Sequence, residues 1–564
     1  MHSGILEVAH TDACSTVPAP ESLRAGPKNG RVSSRTTAVE AWRDLAIALS
    51  LANLCYLRIW GELLAYAPRD AYLMKSPPPP AAFGAVMLNV LLLGSLLWLI
   101  VTVARRTGSA VAIELVRWVL VLFTLALLLA TELRGVVLTR LLSLVHALLG
   151  QRVTDLEATM ILGVLCAAPA VTAFRFSPRL LKGSLRLVLI ICPFVVITFA
   201  QAIAGAFRYN AAPFRDKPLA AALAVNRTAP RVLWVICDEW DHRLTFRDRK
   251  PGLRLAEIDR LRHQALYAEN AYPPLGEGTL AAMPSLTVGE QVVPVRQLGP
   301  AELSVRLAAS GKVVPWNSLP NVFSRAREAG FNTAVVGWYH PYCRVLNESL
   351  TACWWWEAAR QHNSMGERLP ELLLNQPRRL FETSLLSPFG QSLMTHQHIR
   401  TYRAMLERAE QVAADPQYGL SLVHLPVPHA PHFYDASSGQ FTRSNSRISG
   451  YWDSLQLLDR TLGELRRAME GAGTWDATAI LLSADHSFRV AFAVDGKMDP
   501  RIPFLLKLPG QRVGVSFTPR FSAIVTHDLL LGILRGELRT PEAVVGWLEK
   551  RKMADREPVL PGLE

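Results

Sequence analysis

The sequence predicts a protein in two parts: an N-terminal bundle of about five transmembrane helices, then an α/β domain built on a mostly parallel central sheet. Three observations lead there. Apolar residues make up 50% of the 564, a high share for a soluble chain, and the excess lies before about residue 208. Several of those apolar stretches approach the ~20 residues that a helix needs to cross a bilayer. From Arg231 onward, short apolar runs alternate instead with longer amphipathic ones, the pattern of strands covered by helices.

Residues 1–42 are polar and rich in Ser, Thr, Arg and Pro, without the short apolar core of a signal peptide. They read as a cytoplasmic tail. The expected spans are Leu45–Tyr66, Ala82–Val103, Val111–Ala130, Ala158–Thr172 and Leu185–Ala206. Basic residues flanking them fall on alternating sides: Arg24, Lys28, Arg31, Arg35 and Arg43 in the tail, Arg105 and Arg106 after the second span, and Arg175, Arg179, Lys182 and Arg186 before the fifth. Positive segments stay in the cytoplasm, so five spans place the C-terminal half outside it. The expected division is a transmembrane domain at 43–207, a linker at 208–230, an extracytoplasmic domain at 231–540 and a C-terminal tail at 541–564. Arg58, Glu62, Glu114 and Arg117 are expected near span ends, where long side chains reach the interface, with a lipid-headgroup slot as the functional alternative.

A net charge of +13 invites a nucleic-acid reading. The basic residues are dispersed, however, and no Lys/Arg tract is interleaved with aromatics, so the bilayer is the expected partner and nucleic acid is not. The seven cysteines are few for a disulfide scaffold and show no zinc-finger spacing. Cys343 and Cys353 flank a polar loop in the C-terminal half, and an extracytoplasmic setting lets them pair.

In the α/β half the expected strands are Val232–Cys237, Thr333–Gly337, Leu420–Leu425 and Thr478–Ser483. Helices are expected at Leu255–Gln264, Val322–Ala329, Arg400–Ala413, Ser449–Glu470 and Ile524–Leu534. Open α/β sheets bind ligands beyond the carboxyl ends of their strands, and polar residues gather there. RVLWVIC ends in Asp238 and Glu239, two adjacent hard ligands, though alone they read equally well as a solvated turn or a helix cap. ATAILLS leads to Asp485 and His486; with Asp238 they form the mixed O/N set that suits zinc or manganese, with calcium or magnesium as alternatives. A Pro/Gly-rich turn delivers Thr279 to the start of an apolar segment, as an ordinary N-cap or as a metal-ligating hydroxyl that the bound divalent cation activates for attack. HLPVPHAPH places His424, His429 and His432 close together after a strand, and VVGWYH places Trp338 and His340 after another. Such imidazoles can bind oxyanions or move protons. His429 and His432 are assigned with Thr279 to catalysis, and His340, His424 and Trp338 to substrate binding.

In this order, strand-Asp, Gly-rich turn with Thr, His-Pro loop and strand-Asp-His, the chain resembles the sulfatase-like branch of the alkaline phosphatase superfamily over roughly Arg231 to Gly536. LAEIDRLRHQALYAENAY, VFSRAREAGFNTAVVGW and LLDRTLGELRRAMEGAGTWDATAILLSADH carry the likeness further. With its membrane anchor the chain is similar to lipoteichoic acid synthases and lipid A phosphoethanolamine transferases. That resemblance implies a divalent metal held by an acidic residue and an Asp-His pair, with a Thr nucleophile. Asp238, Thr279, Asp485 and His486 match those roles, and Glu239 competes with Asp238 for the first or joins it. Arylsulfatases mature a Cys or Ser within a motif that has Pro two residues and Arg four residues later; here Ala281 and Met283 stand in those places.

The expectation is therefore a multi-pass enzyme of the bacterial inner membrane. It would act outside the cytoplasm on phosphoesters of membrane lipids or envelope glycans, by transfer or by hydrolysis. A sulfuric or phosphonate ester hydrolase is the alternative reaction, and a non-catalytic sensor or assembly protein the alternative class.

Overall fold

In the computed structural model, residues 34–65, 68–132, 178–225, 229–276, 278–358, 365–382, 392–442 and 449–553 are described. The run RVLWVIC forms strand β1 (Arg231–Cys237), buried from Val232 onward. Apolar residues on both faces of a strand call for cover on both sides of the sheet. The other strands of the same sheet are β2 (Leu266–Ala268), β3 (Thr333–Trp338), β4 (Ala352–Trp356), β5 (Leu420–Leu425), β6 (Thr478–Ala484), β7 (Phe504–Lys507) and β8 (Val515–Phe517). Their order is β8-β2-β7-β6-β1-β5-β3-β4. The run from β6 to β4 is parallel throughout, whereas β7 is antiparallel to both β6 and β2.

The strands expected at β1, β3, β5 and β6 are present within a residue of their expected ends. The two flanks of the sheet were not read from sequence. β7 is a buried four-residue run, FLLK, too short to show a period, and β4 is the aromatic run ACWWW. Also unforeseen is a separate antiparallel sheet of Val292–Gly299, Glu302–Leu307 and Val313–Pro315.

The N-terminal half contains α1 (Ser34–Cys55), α2 (Leu57–Leu64), α3 (Pro68–Leu73), α4 (Pro80–Arg106), α5 (Ala110–Glu132), α6 (Pro178–Ile190) and α7 (Pro193–Phe207). The expected five spans are not matched. Among the described residues two helices are long and apolar enough to cross a membrane, Pro80–Arg106 and Lys182–Phe207. A third arises only if α1 and α2, bent by 59° at Tyr56, count as one. The break comes where Arg58 and Glu62 enter the first stretch, and Glu62 is buried against Arg379 of the C-terminal half, 3.5 Å away. The third expected span coincides with α5, whose described side chains end at Thr124, and the fourth lies outside the described residues. Arg117, expected to reach for the interface, instead meets Asp44 at 2.7 Å.

The C-terminal half adds α8 (Ala256–Gln264), α9 (Thr279–Val288), α10 (Val322–Glu328), α11 (Leu369–Glu382), α12 (Ser392–Ala414), α13 (Ser449–Gly471) and α14 (Thr526–Leu534). α11 lies on α4: Gln376 donates to the Ala82 carbonyl (2.9 Å) and accepts from Asn89 (3.0 Å). A second junction forms around Arg344, beside the Cys343–Cys353 disulfide (Cα–Cα 5.5 Å) that ties a short helix to β4. The fully buried Arg344 guanidinium donates to the carbonyls of Tyr72 (3.1 Å), Met74 (2.7 Å) and Phe214 (3.3 Å) and lies over the Trp355 ring. Burial lowers its pKa to about 10, so it stays charged at neutral pH.

Arg344 thus fastens the 72–74 segment and the linker to the α/β half. Arg344→Ala should cost about 3 kcal/mol or more, because three carbonyls lose one donor group. Limited proteolysis of the full chain should then cut at 66–76 and 208–225 faster than in wild type. Unchanged cleavage would contradict this role.

Candidate nucleophile and metal site

The sheet itself assembles the site. Cys237 at the end of β1 is in register with Ala484 of β6 and Leu425 of β5. The next residues, Asp238 and Asp485, therefore leave the sheet side by side, with His424 one position back. Thr279 arrives at the first residue of α9, where Gly278 takes φ 64 as the N-cap. A Cβ on Gly278 would lie 3.2 Å from His486 Nε2 and 3.4 Å from Arg489 Nη1, so backbone geometry and space both call for glycine. Since Gly278 is the cap, the Thr279 hydroxyl is spared that role. It donates instead to Asp485 Oδ2 at 2.6 Å.

Asp485 Oδ1 accepts from the backbone N–H of His486 (2.8 Å) and of Glu239 (3.4 Å). His486 Nδ1 lies 2.9 Å from the Ser487 carbonyl, which can only accept, so Nδ1 carries the proton and Nε2 a bare lone pair. That lone pair is 3.5 Å from Asp238 Oδ1 and 3.5 Å from Asp485 Oδ2. Asp238 Oδ1 and His486 Nε2 are buried with no hydrogen-bond partner among the described residues. Ligand atoms of Asp238, Asp485 and His486 all lie within 4.8 Å of one another. Two carboxylates and an imidazole oriented through a backbone carbonyl fit a small divalent cation, and lone pairs that converge in this way repel without one.

Electrostatics separates the acids. Burial, reinforced by the charge of Asp485, pushes the Asp238 carboxyl well above the usual range. Burial works the same way on Asp485, but the His486 and His424 rings and the Thr279 hydroxyl outweigh it and hold Asp485 low. Glu239 is not among the three converging groups. Its backbone sits at φ 62, a strained region for a residue with a Cβ, and its carboxylate accepts from Arg489 Nε at 2.8 Å. Burial opposes its ionisation, while His429, His486 and Arg489 together keep it low.

The histidines divide into two layers. His340 and His424 are fully buried, and burial lowers them to about 3 and about 4. His340 Nε2 lies 3.0 Å from the Thr279 carbonyl and Nδ1 2.8 Å from the Tyr72 hydroxyl; His424 Nδ1 lies 2.9 Å from the Tyr342 hydroxyl. Neither is exposed to solvent, and His424 Nε2 has no hydrogen-bond partner among the described residues. His429 is at the mouth, its Nε2 3.4 Å from Arg489 Nη2 and its ring edge-on to Trp338 at 5.8 Å. Trp338 is itself buried. His432 faces Ser454 Oγ (3.0 Å) and the Tyr451 ring at the start of α13.

Arg489 was missed in the sequence, although it follows the Asp-His pair within the phrase ADHSFR. Its side chain is 57% exposed. Beyond its bond to Glu239, its guanidinium has donors left that can meet an anion.

No family model matches the chain. Among curated proteins it is 21% identical over 388 residues to an ulvan-active sulfatase of Formosa agariphila, covering 62% of this chain and 70% of that protein. Solved structures similar to it include Ps i-CgsB in complex with k-i-k-neocarrahexaose, at 13% identity, 57% of this chain, 77% of that one and TM-score 0.39. Another is the phosphonate monoester hydrolase of Agrobacterium radiobacter, at 14%, 54%, 74% and 0.37. A third is a protein in the alkaline phosphatase superfamily from Vibrio parahaemolyticus, at 14%, 56%, 68% and 0.36. The chain is similar to these proteins, and its own architecture is an α/β fold with a mostly parallel central sheet.

Proposed function

We propose that this chain is a membrane-anchored, metal-dependent, sulfatase-like hydrolase or transferase that uses Thr279 to attack phosphoesters of envelope lipids or glycans. The observation that carries this reading is the 2.6 Å bond from the Thr279 hydroxyl to buried Asp485, beside the unpartnered Asp238 Oδ1 and His486 Nε2. Asp238, Asp485 and His486 would hold the cation, zinc or manganese by their donor set. When bound, it supplies Lewis-acid activation of the hydroxyl and of the ester.

The chain's own groups account for the rest. Asp485 orients the Thr279 Oγ–H and takes its proton as the Oγ–P bond forms; the bond to the leaving oxygen breaks, and that oxygen departs as an alkoxide or phenolate that takes its proton from water. Arg489 offers its guanidinium to the non-bridging oxygens at the mouth. His429 Nε2 accepts from Arg489 Nη2, and once that guanidinium turns to the substrate it would take a proton from an incoming water or acceptor hydroxyl that releases Thr279.

The membrane setting rests on the two long apolar helices and the alternating basic flanks. The segment between the first two apolar stretches touches the α/β half through Arg344, which fits both lying on the outer side of a bacterial inner membrane. Similarity to a sulfatase favours a second reading, hydrolysis of sulfuric or phosphonate esters. Ala281 and Met283, where a maturation motif would need Pro and Arg, weigh against a matured sulfatase nucleophile.

Full-length protein in detergent with added zinc or manganese should hydrolyse bis(p-nitrophenyl) phosphate faster than p-nitrophenyl sulfate; the reverse order would favour the second reading. Thr279→Ala should lower kcat about a thousandfold or more. Its unfolding free energy should change by only about 1–2 kcal/mol.

Metal content should separate the roles, falling in Asp238→Asn and His486→Ala but not in Thr279→Ala. Because Asp238 keeps its proton to a higher pH than an ordinary carboxyl, cation binding must displace that proton, and affinity should rise with pH. Calorimetric titration with zinc at several pH values would contradict this if affinity stayed flat or fell.

A further inference from the structure

Tyr72 lies far upstream of the α/β half, in α3, between the first two apolar stretches. Even so, it is fully buried in the same core cluster as β1, β3 and β5. Arg344 holds its carbonyl at 3.1 Å and that of Met74 at 2.7 Å. Its hydroxyl reaches His340 Nδ1 at 2.8 Å, and the other nitrogen of that ring, Nε2, reaches the carbonyl of Thr279 at 3.0 Å. Trp316 (5.1 Å) and Tyr339 (5.3 Å) pack edge-on against the imidazole.

The direction of this chain follows from donor and acceptor types alone. A backbone carbonyl can only accept, so Nε2 carries the proton. Neither hydrogen-bonded partner of the buried ring is an anion, so it holds one proton, and Nδ1 is bare. Tyr72 must then donate to Nδ1, and His340 to Thr279. Take the hydroxyl away and the Thr279 carbonyl still selects Nε2–H, but Nδ1 is left buried without a donor and a single hydrogen bond holds the ring. A ring held at one end can turn, and Nε2–H then loosens its hold on the Thr279 carbonyl at the first peptide of α9. The nucleophile's Oγ hangs from that residue, aimed at Asp485 across 2.6 Å.

We infer that Tyr72 is a positioning residue for the nucleophile: a side chain from the N-terminal, membrane-associated half anchors the His340 ring that holds the Thr279 backbone in place. This rests on the reading of Thr279 as the nucleophile. The N-terminal half then contributes to reactivity as well as to anchoring, and the α/β half alone lacks one group of its own site.

The test uses full-length protein in detergent, with Tyr72→Phe keeping the ring and removing only the hydroxyl. Turnover is followed on bis(p-nitrophenyl) phosphate. The His340 ring is followed in nitrogen and proton spectra of histidine-labelled protein, its signals assigned by their loss in His340→Gln. Expected is the Nε2–H tautomer in both proteins, with Nε2–H exchanging with water about tenfold or more faster in Tyr72→Phe. With bound metal unchanged, kcat should fall about tenfold, the low end for groups that orient a site from behind it, and KM should stay unchanged. A wild-type Nε2–H exchange rate in Tyr72→Phe overturns the inference whatever the turnover does, and so does faster exchange with wild-type kcat. If Thr279→Ala keeps the wild-type rate, the functional reading fails, and Nε2–H exchange alone then decides whether Tyr72 orders His340.

Discussion

Two buried carboxylates on adjacent strands, Asp238 and Asp485, set the terms for everything around them. Parallel pairing of β1 with β6 in register brings them out of the sheet together, and two anions out of water at that distance need compensation. The structure supplies part of it. Asp485 is stabilised by two backbone N–H groups and the Thr279 hydroxyl, whereas Asp238 is left to hold its proton to unusually high pH. On the proposed reading a divalent cation would complete the balance and activate Thr279. Gly278, the tautomer of His486 and the turning of Glu239 toward Arg489 all serve to keep that small space open and correctly lined.

The same constraint extends beyond the α/β half. The first residue of α9 must stay still, and its carbonyl is held by His340, whose other nitrogen is held by Tyr72. Arg344 then binds the Tyr72 segment and the linker together through three carbonyls. On the other side, α11 meets α4 through Gln376 and Asn89. The N-terminal helices therefore meet the α/β half through buried polar contacts. Such contacts favour one relative placement over many, because each unpaired group would carry its own cost.

Much of this was legible in the sequence, for a physical reason. β1, β3, β5 and β6 are buried on both faces and so read as short unbroken apolar runs, and the chemistry follows directly on two of them. What was lost depends on tertiary contact. FLLK of β7 is too short to betray its direction, and ACWWW reads as an aromatic cluster until β3 is seen beside it. Asp238 and Glu239 are equivalent as letters, and only the left-handed turn at Glu239 separates them. Tyr72 carries no local mark at all, since its role comes from His340, which lies far along the chain. The membrane reading went astray where composition ignored a break. The first apolar stretch bends at Tyr56 and spends Glu62 on a contact with Arg379.

The central claim is a covalent displacement at phosphorus by Thr279, and the stereochemical course at a chiral phosphorothioate diester tests it without any need for the intermediate to accumulate. Each in-line displacement inverts the phosphorus centre, so attack by Thr279 followed by release to water must give overall retention. Inversion would mean a single direct attack by water, and would contradict the account.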